Sequence, residues 1–467
     1  MDAATQSSPQ HLSLEERVAL GAQQAEELPP EQLGDPPVRD GRPDIVATLL
    51  EEGKDRIAEL LPLRHARMAV SPLALLRGSA AVMAADLGSR RSTNLIVQLC
   101  GDAHLSNFGI YASPERDLVF DVNDFDETHP GPFEWDVLRL ATSFVTCLHG
   151  SDNAEGAAAL ARRVAKTYQQ SMQEISEKPT FEVLYERMTE EDIHAFAEES
   201  ESNAMVKETE ATIEKAKRRT HERAIARLTE EVDGVRRFKN MPPTLVRVTD
   251  EAIRASLDDE HALYVKSLPP ENQAIALRYK VIDIAHKVVG VGSIGTRCWV
   301  VLLEGRDADD QIMLQVKQAT PSVLAPYVKH MGNFATFSHE GERTVRGQKL
   351  MQAVSDLFLG WLDGMAGSNR QYFARQFHDM KGSFDVETAK YATVESYADL
   401  CARTLARAHA RSGDTVAIAS YLGDGKAFAD AVEVFAVAEA HFVAGDHKRL
   451  TDAIAAGEIA AADGDDA

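Results

Sequence analysis

The stretches CGDAHLSNFG at residues 100–109 and LVFDVNDFDE at residues 118–127 decide the fold. In both places an apolar run of strand length leads to acidic and amide side chains. Asp102 and Asn107 lie on the loop after the first run, and Asp124 comes at the end of the second. Strand ends hold such side chains rigidly while they still face a cleft, so we expect one site to contain all three.

These residue types suit phosphoryl transfer. Such a site needs one carboxylate to orient the proton of the attacking hydroxyl, and an amide oxygen and a second carboxylate to hold Mg²⁺ on the phosphates. Asp102 is therefore the predicted catalytic base, and Asn107 and Asp124 are the predicted metal ligands. Asp121 and Asp126 compete with Asp124 for the metal. The alternative is that all of them are ordinary turn residues, since Asp and Asn favour turns.

The same stretches resemble aminoglycoside and choline kinases. Those enzymes carry H-G-D-x-H-x-x-N, then an apolar strand ending in D-F or D-W, then an Asp at the start of a helix. This chain has GDAHLSN at 101–107, DFD at 124–126 and WDV at 135–137, in the same order.

The resemblance implies a role for each matching residue. Asp102 would be the catalytic base, Asn107 and Asp124 would hold magnesium, and Asp136 would brace the catalytic loop. Cys100 departs from the pattern, because the family usually has His there. That position is structural in the family, so the chemistry is retained.

A second motif lies about 190 residues later. Gly290, Gly292 and Gly295 form G-x-G-x-x-G, and β-rich segments follow instead of the helix that a dinucleotide-binding fold requires. The last of these segments carries Lys317. A glycine turn between strands, followed by a strand with a lysine, is typical of the flap that covers ATP in kinases. The alternative is a plain β-meander with a surface lysine.

The lysine of such a flap needs an acidic partner. Lys317 would bind the α- and β-phosphates of ATP, and a glutamate on the following helix would orient it. Glu340 and Glu342 are the candidates. His409, near the C-terminus, could take part in the site or simply end a helix.

The motif order is the reverse of that in ordinary kinases, where the glycine loop precedes the catalytic loop. The predicted fold class is therefore α+β, a protein-kinase-like bilobal fold that is circularly permuted and carries a helical insert. The competing idea is two unrelated domains with accidental motifs. A separation of Lys317 and Asp124 beyond about 15 Å would rule out the permuted fold, because one Mg-phosphate group could not bridge it.

The predicted organisation has six parts, with three strands expected within residues 278–319, a turn at THPGP (128–132) and the hinge between the lobes at RQFHDMKGS (375–383). The six parts are a polar, partly disordered N-terminus (1–40), the catalytic-loop part of a helical lobe (41–180), a mostly helical insert (181–275), a glycine-loop β lobe with hinge (276–385), C-terminal helices that complete the helical lobe (386–456), and a polar tail (457–467).

Composition excludes several classes of partner. The net charge is −23, from 73 acidic and 50 basic residues. Such a surface repels nucleic acids and anionic membranes. The four cysteines form no C-x-x-C pair, and neither a signal peptide nor a membrane span is predicted. We expect a cytoplasmic protein with a small-molecule substrate.

Further phrases resemble the bacterial domain-of-unknown-function family 2252 over residues 40–450, among them NDFDETHPGPFEWDVLRLA, GQKLMQAVSDLFLGW and LARAHARSGD. That resemblance names no substrate. The function predicted from the residues is an ATP- and Mg²⁺-dependent phosphotransferase acting on an unidentified small molecule. The alternatives are a nucleotide-binding pseudokinase and an AMP-transferring enzyme on the same fold.

Overall fold

The computed structural model describes residues 11–38, 41–149, 154–200, 202–288, 290, 292–332, 334–365, 368–377 and 380–462. The helices are α1 (Leu14–Glu27), α2 (Ile45–Gly53), α3 (Leu61–Met68), α4 (Pro72–Gly78), α5 (Ala80–Gly88), α6 (Glu134–Cys147), α7 (Ala154–Ser176), α8 (Thr180–Tyr185), α9 (Glu190–Glu199), α10 (Asn203–Arg218), α11 (His221–Leu228), α12 (Glu251–Lys266), α13 (Pro270–Ala276), α14 (Glu340–Met351), α15 (Tyr391–Ala410), α16 (Thr415–Leu422) and α17 (Lys426–Ala455). The strands are β1 (Ile96–Leu99), β2 (Phe108–Ala112), β3 (Leu118–Val122), β4 (His129–Pro132), β5 (Met188–Thr189), β6 (Thr229–Val232), β7 (Val235–Phe238), β8 (Leu245–Arg247), β9 (Lys280–Lys287), β10 (Cys298–Glu304), β11 (Gln311–Ala319), β12 (Gly360–Asp363) and β13 (Gln371–Gln376). The fold is mixed α+β.

The largest sheet has six antiparallel strands in the order β12-β13-β11-β10-β9-β8. Its side chains alternate between two apolar clusters, as the period of a strand requires. Val301 and Leu303 pack with α12 on one face, and Val300 and Leu302 pack with α11 on the other. The sheet therefore has a core on each side, and the three strands predicted within residues 278–319 are confirmed as β9, β10 and β11.

The largest apolar core lies among the helices. It unites α4 to α7 and α15 to α17 with the short strands β1, β2 and β3. Helix α15 packs along α7, and α17 packs against α6 and α7. This core holds the stretch 100–127 in place, because β1, which leads into it, and β2 and β3, which lie within it, all pack there.

Two segments differ from the prediction, and the N-terminal segment shows a helix. The THPGP segment, interpreted as a turn, contains β4, which pairs antiparallel with β1 from Leu99↔His129 to Ile96↔Pro132. Residues 108–109, placed at the end of the loop CGDAHLSNFG, begin β2 (Phe108–Ala112). The N-terminal segment contains α1, which packs on α16. Residues 1–10, 39–40 and 463–467 lie outside the described part.

The segment 181–275, interpreted as mostly helical, also carries strands. Residues 229–238 form a hairpin, and β8 extends the large sheet beside β9. The hairpin turns at Asp233 and Gly234, both with positive φ. The Asp-Gly pair between apolar residues was the signal in the sequence that could have revealed it.

Candidate functional site

The two motif regions meet at Lys317. Its Nζ lies 3.2 Å from Asp124 Oδ1 and 2.6 Å from Asp126 Oδ2. Lys317 is buried on β11, while both carboxylates follow β3 on the opposite wall of the cleft. The separation of Lys317 and Asp124 is thus far below 15 Å, and the two motif regions from distant parts of the chain lie side by side.

The three charges influence one another strongly. Burial alone would raise the pKa of Asp124, but Lys317 and then Arg375 lower that pKa well below its usual range. Burial and the charge of Asp124 raise the pKa of Asp126. Burial would lower the pKa of Lys317, yet the two carboxylates raise it. Lys317 therefore stays protonated, and Asp124 is the more readily ionised of the two acids.

The two acids fit a magnesium ion. Asp126 Oδ1 is buried and accepts no hydrogen bond from the described residues. The described residues include no group of three or more His, Cys, Asp or Glu that could hold a metal by itself. Mg²⁺ characteristically binds through one or two carboxylates and completes its shell with water and substrate phosphates. Asp124 and Asp126 match that donor set.

Asn107 is arranged differently from a simple metal ligand. Its Nδ2 donates to the carbonyls of Asp102 (3.1 Å) and Asp124 (2.9 Å), and its Oδ1 accepts the N–H of Asp124 at 2.7 Å. The side chain is buried. Asn107 therefore ties the loop that carries Asp102 to the loop that carries Asp124, and only the second lone pair of its oxygen is left for a metal.

Asp121, the other competitor for the metal, lies elsewhere. It is buried, and its carboxylate accepts the N–H groups of Val122 and Ala353, both at 2.9 Å. It lines neither of the two cavities described below. Its contacts fix β3 against the end of α14, so its role is structural.

Asp102 is held by a buried arginine. Arg139 Nε donates to Asp102 Oδ1 at 2.6 Å, and Arg139 Nη2 donates to the Leu76 carbonyl at 2.7 Å. The other carboxylate oxygen lies 3.7 Å from His104 Nε2. Burial lowers the pKa of His104 to about 4, so the imidazole is neutral near pH 7. One oxygen of Asp102 is therefore anchored and the other faces the cleft.

The loop that carries Asp102 is braced from behind. Asp136 accepts the backbone N–H of Cys100 (2.8 Å) and of Gly101 (3.1 Å), as the resemblance to aminoglycoside kinases implied. His409 Nε2 lies 3.3 Å from the same carboxylate, so His409 supports the loop from α15. Gly101 has φ +83°, and a Cβ there would lie 2.1 Å from the Glu127 carbonyl oxygen. Only glycine fits at this bend.

The glycine loop closes the other side of the cleft. Gly290 and Gly295 have positive φ, and Ser293 Oγ lies 3.4 Å from Asp126 Oδ2. Arg56 holds the loop by donating to the carbonyls of Gly292 and Ile294. Within the described residues no acceptor is bonded to the N–H groups of Ser293, Ile294 and Gly295. These donors suit phosphate oxygens.

Neither candidate glutamate of α14 pairs with Lys317. Glu340 pairs with Arg343 at 2.5 Å and Glu342 with Arg346 at 2.8 Å, so the prediction that either contacts Lys317 is wrong. The helix contributes Arg343 instead, which donates to the carbonyls of Asp126 and Thr320 at 2.9 Å. Arg343 therefore links the acidic loop to the end of β11.

Two cavities flank the carboxylates and meet at Asp124. The first, of about 520 Å³, is lined by the basic residues Arg116, Arg219, Lys317, Arg375 and Lys381 and the acidic residues Asp124 and Asp356. The second, of about 510 Å³, is lined by the acidic residues Glu51, Glu52, Asp55, Asp102, Asp124, Asp126 and Glu127 and the basic residues Arg56, Arg77 and Lys381. Both have the size of small-molecule sites, and their charges are opposite.

Sequence reasoning missed Arg375, Lys381 and Glu127. Arg375 donates to Gln315 Oε1 and to the Asn123 carbonyl, both at 3.0 Å, and so joins the sheet to the acidic loop. Glu127 Oε2 accepts the Val323 N–H at 2.8 Å, and burial raises the pKa of Glu127 to about 7. Arg375 and Lys381 stand in the phrase RQFHDMKGS, which was expected to form the hinge. Residues 378–379 of that phrase lie outside the described part.

A family model described as an uncharacterized protein conserved in bacteria (DUF2252) matches residues 56–453. The chain belongs to this family. The matched range contains both motif regions, from Asp102 to Lys317, and helix α15, but not α1. No curated protein and no solved structure matches the chain. Within the part that the structure describes, no helix of this chain has both the length and the apolar character needed to cross a membrane.

Proposed function

We propose that this protein is an ATP- and Mg²⁺-dependent phosphotransferase acting on a small molecule, with a kinase-like bilobal fold in circularly permuted order. One observation carries the proposal: Lys317 Nζ lies 3.2 Å from Asp124 Oδ1, where two cavities of opposite charge meet. These two residues are 193 positions apart in the chain. If the sheet were a plain β-meander and the acidic loop an unrelated turn, this contact between Lys317 and Asp124 would not be expected.

The order of parts along the sheet supports the same proposal. A glycine turn joins β9 to β10, Lys317 lies on β11, and α14 precedes the last two strands. Kinases arrange their glycine loop, lysine strand and following helix in this order.

Helix α15 supplies the connection that a permuted chain needs. Tyr397 Oη donates to the Leu105 carbonyl at 2.8 Å, inside the catalytic loop. Ser412, just after the helix, accepts the N–H of Gln98 on β1 at 2.9 Å. The end of α15 therefore lies beside the strand that leads into Asp102. In an unpermuted kinase order, the chain would run from this helix directly into that strand.

The charges indicate which ligand each cavity takes. The basic cavity suits the triphosphate of ATP, because the cationic side chains that line it would neutralise the phosphate oxygens. The acidic cavity contains Asp102 and suits the acceptor. A γ-phosphate placed between them would lie beside Asp124, so both substrates could reach one reacting phosphorus.

The residues then take distinct roles. Asp102 Oδ2 accepts the proton of the acceptor hydroxyl while Arg139 holds Oδ1. The acceptor oxygen forms a new bond to the γ-phosphorus, and the bond to the β,γ-bridging oxygen breaks, so ADP leaves with that electron pair. Asp124 and Asp126 would hold Mg²⁺, which when bound neutralises charge on the phosphates. Lys317 binds phosphate oxygens, and Asn107 keeps the two loops in register.

The test is transfer of label from ATP. A pool of small metabolites is incubated with Mg²⁺ and γ-labelled ATP, using wild type and Asp102→Asn. The amide keeps an oxygen for Arg139 but cannot take the proton, so labelling should fall by about a hundredfold or more. The matched control is Asp117→Asn in the exposed β2–β3 turn, which should label as wild type does. Equal labelling by Asp102→Asn would contradict the assignment of the base.

One observation favours a second candidate, a nucleotide-binding protein without transferase activity. The Asn107 amide is engaged with backbone at both ends, and Arg139 occupies one oxygen of Asp102. Such a protein would bind Mg·ATP yet label nothing in the pool.

A parallel incubation with α-labelled ATP tests for AMP transfer. That reaction would label the acceptor from the α-position but not from the γ-position.

A further inference from the structure

Lys381 is held at the boundary between the sheet and the helices. The segment 380–382 follows β13, and Gly382 exchanges two backbone hydrogen bonds of 2.9 Å with Ile110 on β2. The N–H of Met380 donates to the Arg219 carbonyl at 2.9 Å, and Arg219 Nη1 lies 3.3 Å from the Lys381 carbonyl. The backbone of Lys381 is thus fixed from both sides, and none of these contacts uses its side chain.

The side chain of Lys381 lies where the two cavities meet. Among the described residues it is the one cationic side chain that lines both. Its ammonium forms no ion pair with a described carboxylate, although the charges of Asp124 and Asp126 act on it. A lysine in this position is available to an anionic ligand that extends from one cavity into the other.

We propose that Lys381 binds the terminal phosphate of the nucleotide and follows that group as it passes from the basic to the acidic cavity. This inference rests on the proposed function and adds a residue to it. Lys317, on β11, remains the lysine for the inner phosphates. Lys381 gives up no proton in the step. It neutralises charge on the γ-phosphoryl oxygens while the bond to ADP breaks and the bond to the acceptor forms.

The surroundings of Lys381 agree with this assignment. Burial and then the charge of Arg375 lower the pKa of Lys381 to about 7. Near pH 7 this amine is therefore only partly protonated, and a phosphate dianion beside it would favour its charged form. Arg219 and Arg375 line the same basic cavity, so the terminal phosphate would meet cations on more than one side.

The experiment compares Mg·ATP with Mg·ADP binding by calorimetry. Lys381→Met should lower the affinity for Mg·ATP by about tenfold or more, because a charge-assisted contact is lost. Its affinity for Mg·ADP should change by less than about twofold. Lys381→Arg should retain most of the preference for ATP. Lys317→Met should weaken both nucleotides, and Lys280→Met, at an exposed site on β9, should change neither.

The outcomes separate the two proposals. Retained Mg·ADP binding shows that Lys381→Met is folded. If that variant keeps the wild-type ratio of ATP to ADP affinity, whether both fall or neither does, the role of Lys381 is overturned and the proposed function stands. If wild type binds neither nucleotide, the proposed function fails and the inference fails with it. Weak ATP binding with normal ADP binding supports the inference.

Discussion

Glu439 is a buried carboxyl outside the candidate site. Its side chain on α17 is fully buried, and its carboxyl lies against that of Asp86. The charged groups that face it are Asp86, Asp446 and Arg42, and Arg42 donates to both aspartates. Burial, and then the charge of Asp86, raise the pKa of Glu439 well above its ordinary 4.5.

The expected consequence is a loss of stability as the pH rises. Above about pH 4.5 the unfolded chain releases the Glu439 proton while the folded protein keeps it. The free energy of unfolding therefore falls with rising pH until the folded pKa is reached. Glu439→Gln removes this contribution, so the decline between pH 5 and pH 8 should become shallower in urea unfolding. Glu433→Gln on the same helix is the control. An unchanged slope in Glu439→Gln would refute the assignment.

At the scale of elements, Asp283 joins the 181–275 segment to the sheet. This buried residue of β9 accepts Arg254 Nη1 of α12 at 2.6 Å and the N–H of Phe238 of β7 at 2.7 Å. Arg247 Nε of β8 lies 3.3 Å away. One carboxylate therefore holds three neighbouring elements on β9.

Removing that carboxylate should be costly. Asp283→Ala leaves buried partners without an acceptor, and we expect the free energy of unfolding to drop by about 3 kcal/mol in urea denaturation. The control is Asp307→Ala in the exposed turn between β10 and β11, which should change little. A loss no larger than that of the control would mean that the segment is held by its apolar contacts alone.

The elements also show what the sequence could reveal. Strands β9, β10 and β11 were predictable because their apolar runs are long and a glycine turn separates the first two. Strand β4 was missed because Pro130 and Pro132 favour a turn interpretation. A strand can carry prolines in a two-stranded pair, where one edge needs no N–H donors. The prediction that a glutamate of α14 contacts Lys317 was wrong. Spacing alone cannot show that the helix places Arg343 against the acidic loop instead.

For the whole molecule, the sequence was informative about the site and less so about its surroundings. Motif order along the chain pointed to the meeting of Lys317 with Asp124, because each motif carries its own chemistry. The two cavities of opposite charge could not be foreseen, since no role could be assigned to Arg375, Lys381 or Glu127 from the sequence and these residues come together only through packing. The role of Asn107 as a tie between loops likewise depends on three-dimensional contacts.

The proposed site also predicts how nucleotide affects unfolding of the whole chain. Mg·ATP at about a hundred times its dissociation constant should stabilise the folded protein by about 2.7 kcal/mol. ATP with EDTA should stabilise it much less, because Asp124 and Asp126 would then face the phosphates without a cation. Thermal unfolding followed with and without Mg²⁺ measures the difference. Equal stabilisation in EDTA would exclude a metal role for these acids.

The most direct test of the central claim is Mg·ATP binding by calorimetry to wild type, Asp124→Asn, Lys317→Met and the double variant. If the two motif regions form one nucleotide site, wild type binds, and each single change weakens binding by about tenfold or more. The double variant should lose less than the sum of the single losses, because the two residues act on the same ligand. Mg·ATP binding that neither change affects, or no binding by wild type, would contradict the account.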